Sequence, residues 1–135
     1  MLFLNLRKIL EKNTLIAIHD GVRPLVSKAL INSLMIEIKN GLGIIPVAPV
    51  KDSIREIEGK NSTHINRSNL HKVQTPQCFL SANIQKAYTQ EFSDSFTDDA
   101  SVFESVEGKI TAILGENKNI KITTEEDLRI SELIQ

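Results

Sequence analysis

The chain has 135 residues, 41% of them hydrophobic and 24% charged, enough for one globular domain with a core. Its 16 Lys and Arg against 17 Asp and Glu leave a formal net charge of −1, which excludes a groove built for a polyanion. Aromatic residues make up only 4% and Trp is absent, so base-stacking platforms are excluded too.

Further classes fall away on simple grounds. The single cysteine, Cys78, cannot form an internal disulfide and fits a reducing cytoplasm. No apolar run approaches the ~18 residues of a membrane span. Arg7 and Lys8 follow the N-terminal apolar stretch instead of preceding it, the reverse of a signal peptide. Without a secretory route, the glycosylation patterns at Asn61 and Asn66 carry no weight. The expectation is a cytoplasmic protein that binds neither nucleic acid nor membrane.

Leu2, Leu6, Ile9 and Leu10 recur at helical spacing, so the first dozen residues read as an amphipathic helix ended by Asn13. Residues 15–18 form a short apolar run suited to a buried strand, followed by the polar turn His19-Asp20-Gly21-Val22-Arg23-Pro24. Ser27 can cap a helix carrying Leu30, Leu34 and Ile38 that stops at Gly41. Residues 44–50 are the next strand, and strand, helix and strand in that order predict a βαβ unit with a right-handed crossover. Residues 51–73 alternate polar and apolar around Glu58-Gly59-Lys60-Asn61, the pattern of a two-stranded excursion with a turn at its tip.

Thr75-Pro76-Gln77 cannot be helical through the proline, and Ser81 then caps a helix to about Glu91. Thr97 precedes a short helix over residues 98–104. Residues 109–114 are a strand, and Ile120-Lys121-Ile122 a shorter one. Thr123 with Glu126 reads as the capping box of a last helix whose Leu128, Ile130 and Leu133 are expected to face inward. No repeat, linker or low-complexity segment interrupts the chain, so the fold class is α/β in a single domain.

Ligands of open α/β sheets bind beyond the carboxyl ends of the strands. Three polar groups follow strands here: Asp20 with Arg23, then Lys51, Asp52 and Ser53, then Asn119, Lys121 and Thr123. An ionised Asp only accepts, so it can hold a divalent metal or a substrate hydroxyl. Arg and Lys can hold phosphate, Arg through a bidentate fork and Lys as a point charge.

Each also has a plainer reading. Asp20 is equally a turn former, Arg23 and Lys121 solvated surface charges, and Thr97-Asp98-Asp99 a helix start favoured by the dipole. Residues 74–77 read alone as a proline turn. His19, His64 and His71 show no metal-ligand spacing, and Cys78 reads as a packed thiol. Gly41-Leu42-Gly43 follows a helix and precedes a strand, the reverse of a dinucleotide loop, and reads as a helix stop.

Six segments taken in order resemble the 2-C-methyl-D-erythritol 4-phosphate cytidylyltransferase family. They are His19-Asp20-Gly21-Val22-Arg23-Pro24, Pro49-Val50-Lys51-Asp52-Ser53-Ile54 and Asn66-Arg67-Ser68-Asn69-Leu70. Then come Gln74-Thr75-Pro76-Gln77-Cys78-Phe79, Thr97-Asp98-Asp99-Ala100-Ser101, and Asn119-Ile120-Lys121-Ile122-Thr123 with Glu126-Asp127-Leu128. The resemblance runs from Leu15 to Gln135.

It implies a Rossmann-like sheet that transfers CMP from CTP to the substrate phosphate and releases pyrophosphate with Mg²⁺. Catalysis of that in-line attack is positioning plus charge neutralisation, with no side-chain nucleophile. By position the resemblance makes Asp20, Arg23 and Lys121 catalytic, Asp20 holding substrate hydroxyls or lying near the metal. Ser53, Arg67, Thr75 and Thr97 surround the methylerythritol phosphate with them, and Ser53 stands where the family more usually has Thr. The excursion at 51–73 becomes an arm that embraces a second subunit, so Ser53 and Arg67 serve the partner's site in a homodimer.

The family's first strand and its glycine-rich loop, which cradles the CTP triphosphate, have no counterpart in these residues. Residues 1–10 correspond to a helix inside the full enzyme. The implied role is therefore the substrate-phosphate and dimer-arm part, inactive by itself. Ribitol 5-phosphate cytidylyltransferase shares the fold and several motifs. A non-catalytic remnant that dimerises with a full-length copy is the reading from another class.

Overall fold

Residues 14–39, 42–106 and 108–134 are described by the structure, a computed structural model. The expected first helix lies outside them. In chain order the elements are β1 (Leu15–Ile18), α1 (Lys28–Glu37), β2 (Leu42–Pro49), β3 (Ile54–Glu58), β4 (Asn61–Ile65), a 3₁₀ turn (Arg67–Asn69), β5 (His71–Val73) and β6 (Gln77–Leu80). They continue with α2 (Ser81–Ala87), α3 (Asp99–Glu104), β7 (Lys109–Leu114) and α4 (Glu125–Ile134).

The main sheet is mixed. β2 pairs with β7 in parallel on one side and with both β5 and β6 antiparallel on the other, while β1 pairs antiparallel with β6. β1 and β2 are therefore parallel, as the βαβ reading requires, but they do not touch. β6 lies between them, a strand the sequence reading passed over. Four residues after a proline are too short a run to show a period, and Gln77 at their head is polar.

Alternation along β6 builds the two core layers, because neighbouring strand residues point to opposite faces. Cys78 packs with Leu30, Leu34 and Ile44 under α1. Phe79 packs with Ile84, Ala87, Val102 and Phe103 under α2 and α3. Gly43, opposite Phe79 in the register, leaves room for the ring, since a Cβ there would lie 2.6 Å from Phe79 Cε1 and from Ile110 Cδ1.

The caps follow the sequence with two shifts. Ser27 Oγ accepts the Leu30 N–H at 3.0 Å, as expected for the α1 cap. Ser81 is instead the first residue of α2, fully buried, with its N–H donated to the Thr14 carbonyl at 2.8 Å, because β6 runs straight into the helix. The last capping box uses Thr124 and Asp127 in place of Thr123 and Glu126. Thr123 and Thr124 both donate backbone N–H to Asp127 Oδ2 at 2.9 Å, and Asp127 N–H returns to Thr124 Oγ1 at 3.1 Å.

Two expectations are corrected. Residues 120–122 form no strand; the Ile122 N–H donates to the Val22 carbonyl, which ties them to the turn after β1. Leu128, Ile130 and Leu133 do not face inward: they are 49%, 48% and 87% exposed, whereas Ser131 is buried. An amphipathic pattern states that one helix face is apolar, not that this face meets the sheet.

The arm is as expected at 51–65, a hairpin of β3 and β4 in which Glu58 faces Asn61 across Gly59 and Lys60. Gly59 takes φ +60°, the left-handed backbone that two-residue hairpin turns require. Residues 71–73, by contrast, have left the arm and joined the main sheet.

Burial pushes the Cys78 thiol up to about 11, so it meets reagents as an unreactive neutral thiol. Aromatic disulfide reagents at neutral pH should label Cys78 only as fast as β6 leaves the sheet, with a rate rising through the denaturant transition. Rapid labelling of the native chain would contradict this packing.

Candidate functional site

The site grows from the polar turn after β1. The Arg23 N–H closes it on the Asp20 carbonyl at 3.0 Å. Arg23 Nε then donates to Asp20 Oδ2 at 3.2 Å, and a second guanidinium nitrogen donates to the Asn119 carbonyl at 2.8 Å. The Lys121 ammonium stands 3.3 Å from the same Asp20 Oδ2. Burial acts to raise the Asp20 carboxyl, but Lys121 and Arg23 together outweigh it and hold the group below its ordinary value.

The bend between β5 and β6 supplies the second wall, with a cis peptide at Thr75-Pro76. Thr75 Oγ1 accepts the Asp20 N–H at 3.0 Å. Gln74 and Gln77 on either side are buried, and both carboxamides reach across to other loops. Gln74 Nε2 donates to the Glu116 carbonyl at 2.8 Å while its Oε1 accepts the Glu116 N–H at 3.1 Å. Gln77 Nε2 donates to Asp98 Oδ2 at 2.9 Å, and its Oε1 accepts the Ala100 N–H at 2.8 Å. Asn119 Nδ2 donates to the Thr75 carbonyl at 2.8 Å.

Between these walls lies a cleft of about 430 Å³ lined by Asp20, Arg23, Thr75, Thr97 and Lys121 together with Val73, Gln74, Gln77, Asp98 and Asp99. Five of the seven residues to which the resemblance gives a role thus share one cavity. Ser53 and Arg67 do not line it: both are exposed, Ser53 just before β3 and Arg67 in the 3₁₀ turn.

Asp98 is the N-cap of α3, in a reciprocal box with Ser101. Burial raises the neighbouring Asp99 carboxyl; the Tyr88 hydroxyl, which donates to Asp99 Oδ1, opposes this without reversing it. The sequence reading missed the two glutamines and the structural part of Asn119. Their signal was present as two Gln flanking Thr75-Pro76, but a polar side chain shows its burial only once its partners are in place.

The sequence profile described as "IspD: 2-C-methyl-D-erythritol 4-phosphate cytidylyltransferase" matches residues 2–135. The chain belongs to this family. It is 49% identical over 127 residues to the IspD protein of Azobacteroides pseudotrichonymphae genomovar. CFP2, covering 92% of this chain and 56% of that one. It is 38% identical over 120 residues to the one of Phocaeicola vulgatus, covering 89% and 55%.

Among solved structures, the synthase of Anaerococcus prevotii superposes with a TM-score of 0.83 at 30% identity, covering 98% of this chain and 61% of that one. The Thermus thermophilus cytidylyltransferase gives 0.82 at 27%, covering 98% and 66%. These neighbours make the sheet Rossmann-like and mixed α/β, as expected. The chain spans a little over half the length of the curated IspD relatives it matches. Family and relatives alike carry the methylerythritol name, so the ribitol reading is not favoured.

The donor set among the described residues does not fit a resident metal. Two cations already share Asp20 Oδ2, and among the described residues no three His, Cys, Asp or Glu side chains group for an ion. Nor is any helix among them long and apolar enough to cross a membrane.

Two measurements check this geometry. Gln77→Leu should cost about 1–3 kcal/mol in denaturant unfolding, because it strips partners from the buried Ala100 N–H and from Asp98. A cost below ~0.5 kcal/mol, the range of surface changes, would contradict the link. For Asp20, a folded value below the ordinary 3.8 means its ion pairs contribute stability above that pH and lose it as pH falls through the depressed value. Wild type and Asp20→Asn should therefore differ in unfolding midpoint near neutrality and converge in acid.

Proposed function

We propose that this chain supplies the acceptor side of CMP transfer from CTP to 2-C-methyl-D-erythritol 4-phosphate. The observation that carries the reading is the convergence of Asp20, Arg23, Thr75, Thr97 and Lys121, from separate parts of the sequence, on one cleft at the strand ends.

The transfer is an attack by a substrate phosphate oxygen on the α-phosphorus of CTP, with pyrophosphate leaving. Like charges must be brought together, so catalysis is orientation and neutralisation by fixed groups. Lys121 is the cation with the freest reach into the cleft, its side chain 49% exposed. Arg23 is tied to the Asn119 carbonyl and Asp20, and so stiffens the wall more than it moves. The acceptor-only Asp20 carboxylate suits a substrate hydroxyl. Mg²⁺ in this reading arrives with the triphosphate of CTP.

Ser53 and Arg67 are assigned to the cleft of a second copy, in a cytoplasmic homodimer. Supporting this, residues 55–64 of the arm are exposed throughout, and a lone two-stranded hairpin is only marginally stable. A partner provides the contact that such a hairpin lacks. Sedimentation should show a dimer or larger species; a monomer at high concentration would count against the arm.

The activity test uses two proteins. The 135 residues alone hold no counterpart of the glycine-rich CTP loop, and should release no pyrophosphate from CTP, methylerythritol phosphate and Mg²⁺. The same residues joined to the N-terminal part of the Azobacteroides relative should do so. In that chimera, Arg67→Ala or Lys121→Ala should each remove about 1.5–3 kcal/mol of charge-assisted binding, roughly 10- to 150-fold. Unchanged kinetics in both variants would overturn the assignment, and turnover by the 135 residues alone would place a nucleotide site within them.

A further inference from the structure

The turn after β1 and the bend between β5 and β6 meet through one hydroxyl. Thr75 Oγ1 accepts the Asp20 N–H at 3.0 Å and stands 2.9 Å from His19 Nδ1. His19 Nε2 stands 3.0 Å from the Arg23 carbonyl oxygen. A carbonyl oxygen can only accept, so in a neutral imidazole the proton of His19 belongs on Nε2. Nδ1 is then a bare acceptor, and among the described residues Thr75 is the group placed to donate to it. A hydroxyl has one proton and two lone pairs. With the proton given to His19 and one lone pair given to Asp20, Thr75 keeps a single lone pair for the cleft it lines.

That order of protons has a consequence for recognition. A phosphate dianion needs donors, and Thr75 has none left to offer. A hydroxyl needs an acceptor, and Thr75 offers one beside the acceptor-only Asp20 carboxylate. We propose that His19 is a positioning residue that makes Thr75 a hydrogen-bond acceptor toward the cleft, so that Thr75 receives a hydroxyl of the acceptor substrate and the phosphate is left to the cations, Lys121 and the Arg67 of a second copy. The inference rests on the functional reading above and adds to it the role of Thr75, as an acceptor for a substrate hydroxyl. His19 touches no substrate in this scheme; it acts through Thr75.

Two measurements on the 135-residue chain test it. Imidazole ¹⁵N shifts of the wild type, taken in mildly alkaline buffer, should report His19 as the Nε2–H tautomer; the Nδ1–H tautomer overturns the proposal without any variant. Calorimetry with methylerythritol phosphate and with inorganic phosphate then reads the consequence. His19→Phe frees the Thr75 proton, and should weaken methylerythritol phosphate binding about tenfold while leaving inorganic phosphate binding unchanged. His19→Asn, whose amide oxygen can accept the same proton, should recover most of the loss. Equal losses in the two variants, or a parallel loss of inorganic phosphate binding, overturn it. A wild-type chain that binds methylerythritol phosphate no better than inorganic phosphate overturns the functional reading itself, an outcome separate from the tautomer result.

Discussion

The bend at Gln74-Thr75-Pro76 is the constraint on which the site depends. β5 and β6 both pair with β2, so the chain between them must leave the ladder and return to it within three residues. The Gln74 N–H still reaches the Pro46 carbonyl at 2.8 Å, which keeps the bend against the sheet. What the interruption releases is side-chain capacity: two buried carboxamides, each able to donate and accept, now face neighbouring loops. Gln74 takes the 115–119 loop and Gln77 takes the start of α3, and those loops carry Lys121 and Thr97 toward Thr75. Gly115 shows how close the first contact is, since a Cβ there would stand 2.2 Å from Gln74 Oε1.

Around that frame, Asp20 organises the charges. Two cations on one carboxylate oxygen suggest a large stabilisation, because a pair at ~3.3 Å is worth roughly 5 kcal/mol at an effective dielectric of 20. The Lys121 pair is open to water, however, with Lys121 49% and Asp20 32% exposed, and such a pair contributes about 0–1 kcal/mol. Orientation decides their value instead. Arg23, 11% exposed and bonded to both Asp20 and Asn119, couples the turn after β1 to the loop before Lys121. The result is a cleft wall whose acceptors and cations already hold one another in place.

The sequence was legible wherever a signal is local. Ser27 announced the cap of α1, Gly59 the tip of the arm, and the apolar run of residues 15–18 a strand; each depends on a few neighbours and the backbone they favour. It misled where the answer lay with a distant partner. Leu128, Ile130 and Leu133 have helical spacing, yet the face that meets the protein is that of Ser131. Gln77-Cys78-Phe79-Leu80 carries the strand between β1 and β2, and neither length nor alternation betrayed it. Ser81, a good cap by type, is carried into the helix because β6 leads directly into it.

For the candidate site, the sequence alone nominated the side chains: Asp20, Arg23 and Lys121 by residue type and position after strands, and Thr75 and Thr97 by the resemblance of six ordered motifs. Tertiary structure alone decided that these five share a cleft while Ser53 and Arg67 stand apart from it, and which hydrogen bonds each group has already spent. The reason is physical. A residue's type fixes how many protons and lone pairs it has, but Thr75 meets His19 and Asp20 across a separation of 56 and 55 residues. Which of those protons and lone pairs remain for a substrate is settled only when the sheet brings those partners within 3.0 Å.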